Sequence, residues 1–244
     1  FTFGPVGRLL GLTPRAQAAI LMVGATPWST SLSAHLSRLG VPVLITDTSW
    51  QRLTRAREEG VPTYHGEILA DGAEEDLDLH DYAVLAAVTD NEAYNALLCN
   101  EFAPALGRDA VYQLGDAAGD DPRSLPVLLR GRALFASGLG VEDVQAREAA
   151  GWAFVSTTLT GERDFADLRS DLPDDADPLL LLRRNGKIRF FTHASRPEPE
   201  PGDTVVVFSP EVGLANVHGW TSEPTSNDAR VAPEPMPKSA GASA

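Results

Sequence analysis

The sequence is poorest in the groups that most often carry chemistry or staple a fold. Its 244 residues include one cysteine, Cys99, so no internal disulfide is available, and a reducing compartment is the natural setting. Lys187 and Lys238 are the only lysines, the rest of the basic charge being arginine, a bias without functional reading. Positive charge is scarce altogether. Twenty Lys and Arg against 34 Asp and Glu leave a net charge of −14 and a pI near 4.7. That balance argues against nucleic acid as a partner and against attraction to anionic lipid headgroups. No apolar run approaches the roughly 20 residues of a membrane span. The given sequence does not open on Met, and no signal peptide is expected in it. The opening FTFGPVGRLLGLTPR is expected to be the end of something larger.

Catalytic patterns are also missing. The five histidines (His35, His65, His80, His193 and His218) show no metal-ligand spacing. There is no G-x-S-x-G elbow, Walker loop or Cys/His pairing. Lys187 and His193 belong to an expected hairpin and are poor candidates for the general acid of a hydride-transfer site. No catalytic residue, no metal ligand and no enzyme activity are expected.

What the chain does have is concentrated in residues 19–47, AILMVGATPWSTSLSAHLSRLGVPVLITD. The apolar run Ala19 to Val23 stops at Gly24. A helical pattern with Leu32, Leu36 and Leu39 on one face follows and ends at Gly40. A second apolar run closes on Asp47. Strand, tight turn, helix, strand and acid, with the acid about 20 residues after the glycine, form the first half of a nucleotide-binding βαβ unit. The glycine fingerprint is incomplete: where G-x-G-x-x-G would stand, the chain has Gly24-Ala25-Thr26-Pro27-Trp28-Ser29. Gly24 serves the turn. The Thr26 side chain crowds the place where backbone would approach a pyrophosphate, and Ser29 is small enough to keep helix and strand close. Pro27 suits a first helical turn. Trp28 either stacks on a base or covers the sheet edge.

The rest of the first half repeats the alternation. Ser49 to Gly60 is expected to be a three-turn helix with Ser49 as N-cap. Val61 to His65 is a third strand, followed by Gly66-Glu67, and residues 71–81 hold a short amphipathic helix around Leu77 and Leu79. Tyr82 to Val88 is a buried parallel strand ending at Thr89-Asp90. A helix from Asn91 to Leu106 is expected to bury Tyr94, Leu97, Leu98 and Phe102, with the strand Ala110 to Leu114 behind it. Five strands alternating with helices predict an α/β, Rossmann-like, doubly wound parallel sheet over 19–115. Residues 1–18 are a juxtamembrane or linker segment, or a frayed terminus.

After a solvated break at Gly115 to Pro122, a helical stretch is expected to about Ala150, weakened at Gly138 and Gly140. From Gly151 the period turns to β. Trp152 to Thr160 alternates, Leu179–Arg184 and Lys187–His193 flank the hairpin signal Asn185-Gly186, and Thr204 to Phe208 adds a strand. Residues 151–209 thus predict a small α+β C-terminal domain after a linker and helix at 116–150. The acid-rich stretch Asp164 to Asp177 is a solvated helix and loop, or else a cation site. Residues 210–244 are expected to form a tail, disordered from 222 on.

In such a sheet the carboxyl ends of the strands gather Gly24, Asp47, Gly66 with Glu67, and Thr89 with Asp90 at one edge, where ligands bind. Asp47 and Asp90 would hold ribose hydroxyls, and the amides after Gly24 would meet a phosphate at a helix N-terminus. Alternatively the acids only cap the helices that follow them. Arg52 either reaches a phosphate or forms i,i+3 pairs with surface acids.

The ordered set Val23-Gly24-Ala25, Asp47-Thr48-Ser49-Trp50, Gly60-Val61-Pro62-Thr63-Tyr64-His65-Gly66 and Thr89-Asp90-Asn91-Glu92-Ala93-Tyr94-Asn95 resembles the TrkA-N domain, also called RCK. More closely, it resembles the cytosolic tail of NhaP-like bacterial sodium/proton antiporters of the monovalent cation:proton antiporter-1 family. Phe3 to Leu12 resembles the segment leaving the last membrane helix of those proteins, and Arg183-Arg184-Asn185-Gly186-Lys187 with Pro201-Gly202-Asp203-Thr204 their TrkA-C-like end. The resemblance implies a regulatory domain at the cytoplasmic face of the bacterial inner membrane, attached to a transmembrane antiporter domain and forming a homodimer. It further implies binding of NAD(H) or an adenine nucleotide (AMP, ADP or ATP) at the first βα turn. The candidate binding residues are Gly24, Ala25, Thr26, Ser29, Asp47, Thr48, Gly66, Glu67, Thr89 and Asp90. Because Thr26 and Ser29 replace glycines, a dinucleotide, a mononucleotide or no ligand at all remain open. A ligand-free assembly domain and a free-standing NAD(P)-dependent oxidoreductase are the rival readings.

Overall fold

The computed structural model describes residues 19–70, 73, 77, 79–115 and 130–210. The expected linker at 1–18, most of the break after Gly115 and the expected tail lie outside the described residues.

Six parallel strands form the first sheet: β1 (Ala19–Val23), β2 (Val43–Asp47), β3 (Thr63–His65), β4 (Tyr82–Ala87), β5 (Val111–Gln113) and β6 (Arg132–Ala133). Their order is β3-β2-β1-β4-β5-β6. The chain therefore runs outward from β1 in one direction, returns, and runs outward from β4 in the other. This is the doubly wound, Rossmann-like arrangement, with its switch point between β1 and β4. Helices α1 (Pro27–Arg38) and α2 (Trp50–Glu58) cover one face and α3 (Glu92–Leu106) the other. Alternation along β1 decides the faces: Ile20 and Met22 pack with Leu32, Leu36 and Leu53, while Leu21 and Val23 pack with Leu98 and Phe102.

The expected helix before Ala150 is only partly present. Helix α4 covers Val141–Ala149, but Arg132–Ala133 pair with β5 as the sixth strand. Leu134 and Phe135, wholly buried, continue as isolated bridges to Thr192. Leucine and alanine there suggest helix, yet pairing with an open strand edge wins over propensity. The expected burial of Leu97 also fails. Its side chain is 50% exposed, because Asn95, Ala96, Leu98, Cys99 and Phe102 occupy the sheet-facing side of α3. Around residue 77, Leu77 is buried and Leu79 half-buried against the α3-side core, and a single 3-10 turn spans Leu79–Asp81.

The second sheet is antiparallel, in the order β7 (Trp152–Thr158), β10 (Thr204–Pro210), β8 (Asp177–Leu182) and β9 (Ile188–Phe190). Asn185-Gly186 turn β8 into β9, with the Arg183 amide bonded to the Lys187 carbonyl. Strand β7 is buried from Ala153 to Thr157 rather than on alternate residues. Both faces of this sheet are covered: α5 (Phe165–Asp171) supplies Leu168 on one side, and α1 supplies Trp28 on the other.

Trp28 is the joint between the two sheets. It is 2% exposed, with ring centroids 5.9 Å from Phe135, 5.7 Å from Phe154 and 6.4 Å from Phe208. Tyr112 of β5 lies 4.6 Å from Phe190 of β9 in the same cluster. Enclosed by these rings, the Trp28 side chain is not open to stacking on a base. Among the described residues no helix is long and apolar enough to cross a membrane.

Candidate functional site

The turn after β1 is built on a close backbone approach. Gly24 has φ +110°, and a Cβ there would lie 2.8 Å from the Thr89 nitrogen and 2.9 Å from its Cα. Only glycine fits against the end of β4. Helix α1 then starts with a reciprocal cap. The Ser29 amide donates to Thr26 Oγ1 at 3.1 Å, and the Thr26 amide donates to Ser29 Oγ at 2.9 Å. The Ser29 hydroxyl donates in turn to the Gly24 carbonyl at 2.6 Å. The two residues that replace the missing glycines thus tie the helix start to the turn.

Asp47 completes the lock from the next strand. Its Oδ2 accepts the Ala25 amide at 2.8 Å, and its Oδ1 accepts the Ser49 amide at 2.7 Å. The carboxylate is buried, and Arg52 approaches it at 3.8 Å. Arg52 also reaches Asp90 at 3.3 Å, so it links the β2 and β4 sides instead of pairing with acids one helical turn away. The helices themselves are capped by neighbours of the acids: Ser49 accepts the Arg52 amide, and Asn91 accepts the Tyr94 amide at 3.0 Å.

At the switch point lies a cleft of about 320 Å³. Of the ten sequence candidates it is lined by Gly24, Asp47, Thr48, Gly66, Glu67, Thr89 and Asp90. Ala25, Thr26 and Ser29 are not on its wall; Ser29 is fully buried beneath the turn. The structure adds Val23, Thr46, Ser49, Arg52, Ile68, Asn91 and Tyr94. Tyr94 donates its hydroxyl to Glu67, and burial followed by that bond holds the phenol protonated well above its usual range.

Two residues matter that the strand-and-glycine pattern does not single out. Asn95, wholly buried on α3, accepts the Thr89 amide at 3.0 Å and hydroxyl at 2.7 Å. Its amide nitrogen donates to the Thr89 and Leu114 carbonyls at 3.1 and 3.0 Å. It fixes the β4 end of the cleft to the β5 end; the signal available was its place one turn after the cap Asn91. Thr46 is the second. It is 1% exposed, lines the cleft, and its hydroxyl has no hydrogen-bond partner among the described residues. A strand threonine reads as β-propensity alone, so sequence gives no sign of it.

Elsewhere, Lys187 and His193 flank β9 and do not line the cleft. The acid-rich stretch is spent on structure: Asp164 caps α5, and Asp177 pairs with Arg147 at 2.5 Å. Among the described residues no group of three or more His, Cys, Asp or Glu is placed to hold a metal ion.

Residues 20–107, from β1 through the end of α3, match the TrkA-N domain. Among solved structures the chain is similar to one described as the crystal structure of the GsuK RCK domain, at 12% identity and a TM-score of 0.40, over 85% of this chain and 47% of that one. It is similar also to the GsuK channel bound to NAD, at 13% identity and a TM-score of 0.38, over 85% of this chain and 39% of that one. A further GsuK channel structure gives 11% identity and a TM-score of 0.41, over 81% and 37%. The chain thus spans less than half the length of each. No curated protein matches it.

Proposed function

We propose that this chain is a cytosolic nucleotide-sensing regulatory domain of a sodium (monovalent cation)/proton antiporter. In this reading it binds NAD(H) or an adenine nucleotide (AMP, ADP or ATP) in the cleft and modulates ion transport. The observation that carries the reading is the cleft itself, at the β1/β4 switch point of a TrkA-N domain, with the buried Asp47 in its wall. Its partners would be the transmembrane antiporter domain of the same protein, at the cytoplasmic face of the bacterial inner membrane, and a second copy in a homodimer. Occupancy biases the transporter by binding its two states unequally.

The test is thermal unfolding of the 244-residue chain with NAD, NADH, AMP, ADP and ATP in turn. A ligand at about 100 times its dissociation constant adds roughly 2.7 kcal/mol to folded-state stability. A shift with one of them, absent in Asp47→Ala measured against its own unliganded baseline, supports a sensor. No shift with any of them overturns the reading. It would favour the second one, a ligand-free assembly domain, for which the internally bonded amides of Ala25, Thr26 and Ser29 already speak.

A further inference from the structure

We propose that the cleft is selective for the nucleoside end of its ligand and discriminates against phosphates, an inference that rests on the nucleotide-binding reading above.

The phosphate place is closed by the chain's own groups. An anion at the N-terminus of α1 would need free amides. The Ala25 amide is held by Asp47 at 2.8 Å, the Thr26 amide by Ser29 Oγ at 2.9 Å and the Ser29 amide by Thr26 Oγ1 at 3.1 Å. Pro27 has none, and the Thr30 amide is in the helix, bonded to Thr26 O. At most the Trp28 amide is left. The cleft wall is also of the wrong sign. Asp47, Glu67 and Asp90 line it against one guanidinium, Arg52, which both aspartates already engage.

The same lining suits an uncharged ligand rich in hydrogen-bond donors. Carboxylates accept from hydroxyl and amino groups, which ribose diols and an exocyclic amine supply. Ile68 and the Tyr94 side chain give the same wall its apolar part. At about 320 Å³ the cleft is at the small end of ligand pockets, room for one nucleoside and less than a dinucleotide needs.

Calorimetric titration of the full chain with adenosine, AMP, ADP, ATP and NAD tests this. Adenosine is expected to bind tightest, affinity falling about threefold per added phosphate, and the spread is expected to shrink at high salt as repulsion is screened. Tighter binding of ATP or NAD than of adenosine overturns the selectivity while leaving the nucleotide reading standing. Absence of binding by all five overturns both.

Discussion

The Asp47 carboxylate accepts the Ala25 amide at 2.8 Å across a separation of 22 residues, so the acid closing β2 is what fixes the turn leaving β1. The same carboxylate takes the Ser49 amide at 2.7 Å. A residue read as a ribose ligand is therefore first a structural brace.

Asp47→Ala removes both acceptors and leaves a buried amide unpaired. Bonds to a charged group are worth about 1.5–3 kcal/mol each, less where water can replace them. The variant is expected to lose roughly 2–3 kcal/mol in urea unfolding, and Asp47→Asn, which keeps one acceptor oxygen, about half of that. Equal losses in the two variants would show that charge, not acceptor geometry, holds the turn.

Gly24→Ala meets both a left-handed φ of +110° and a backbone approach of 2.8 Å to Thr89. The β4 end must move, and Asn95 ties that end to Leu114. A loss of at least about 2 kcal/mol is expected from strain of this kind. Any nucleotide-dependent thermal shift should vanish with it. Wild-type stability in this variant would mean that the turn is looser than its contacts require.

Trp28→Ala empties the joint between the sheets. Truncating a fully buried Trp costs about 3–5 kcal/mol. Because Phe154 and Phe208 of the second sheet and Ile20 of the first belong to one cluster with Trp28, wild type is expected to unfold in a single transition by calorimetry. The variant is expected to separate the two sheets into distinct transitions. A two-step wild-type melt would count against a shared core.

His35 gives stability a pH dependence of known sign. Burial, and then the nearby Arg38 charge, lowers its pKa to about 4. The unfolded chain takes up the proton near pH 6.5 and the folded chain only near 4. Its contribution is therefore full above pH 6.5 and is lost as pH falls through that window. The whole effect is on the order of 3 kcal/mol. His35→Leu should flatten the stability curve between pH 6.5 and 4 relative to wild type. Curves that stay parallel would place the ring in water.

The first five strands, the cap Ser49 and the Asn185-Gly186 hairpin were all legible in sequence, because each depends on residues a few positions apart. The convergence of Gly24, Asp47, Gly66, Glu67, Thr89 and Asp90 on one edge was legible as well, since strand-end positions in a parallel sheet share that edge by topology. Tertiary structure alone decided the rest. Arg132–Ala133 became a strand because β5 offered an unpaired edge, and Trp28 went inside because a second sheet packs over α1. Asp47 turned toward Ala25, and the buried Thr46 hydroxyl was left without a partner among the described residues. Those outcomes depend on which groups distant in sequence arrive together, and local periodicity carries no record of that meeting.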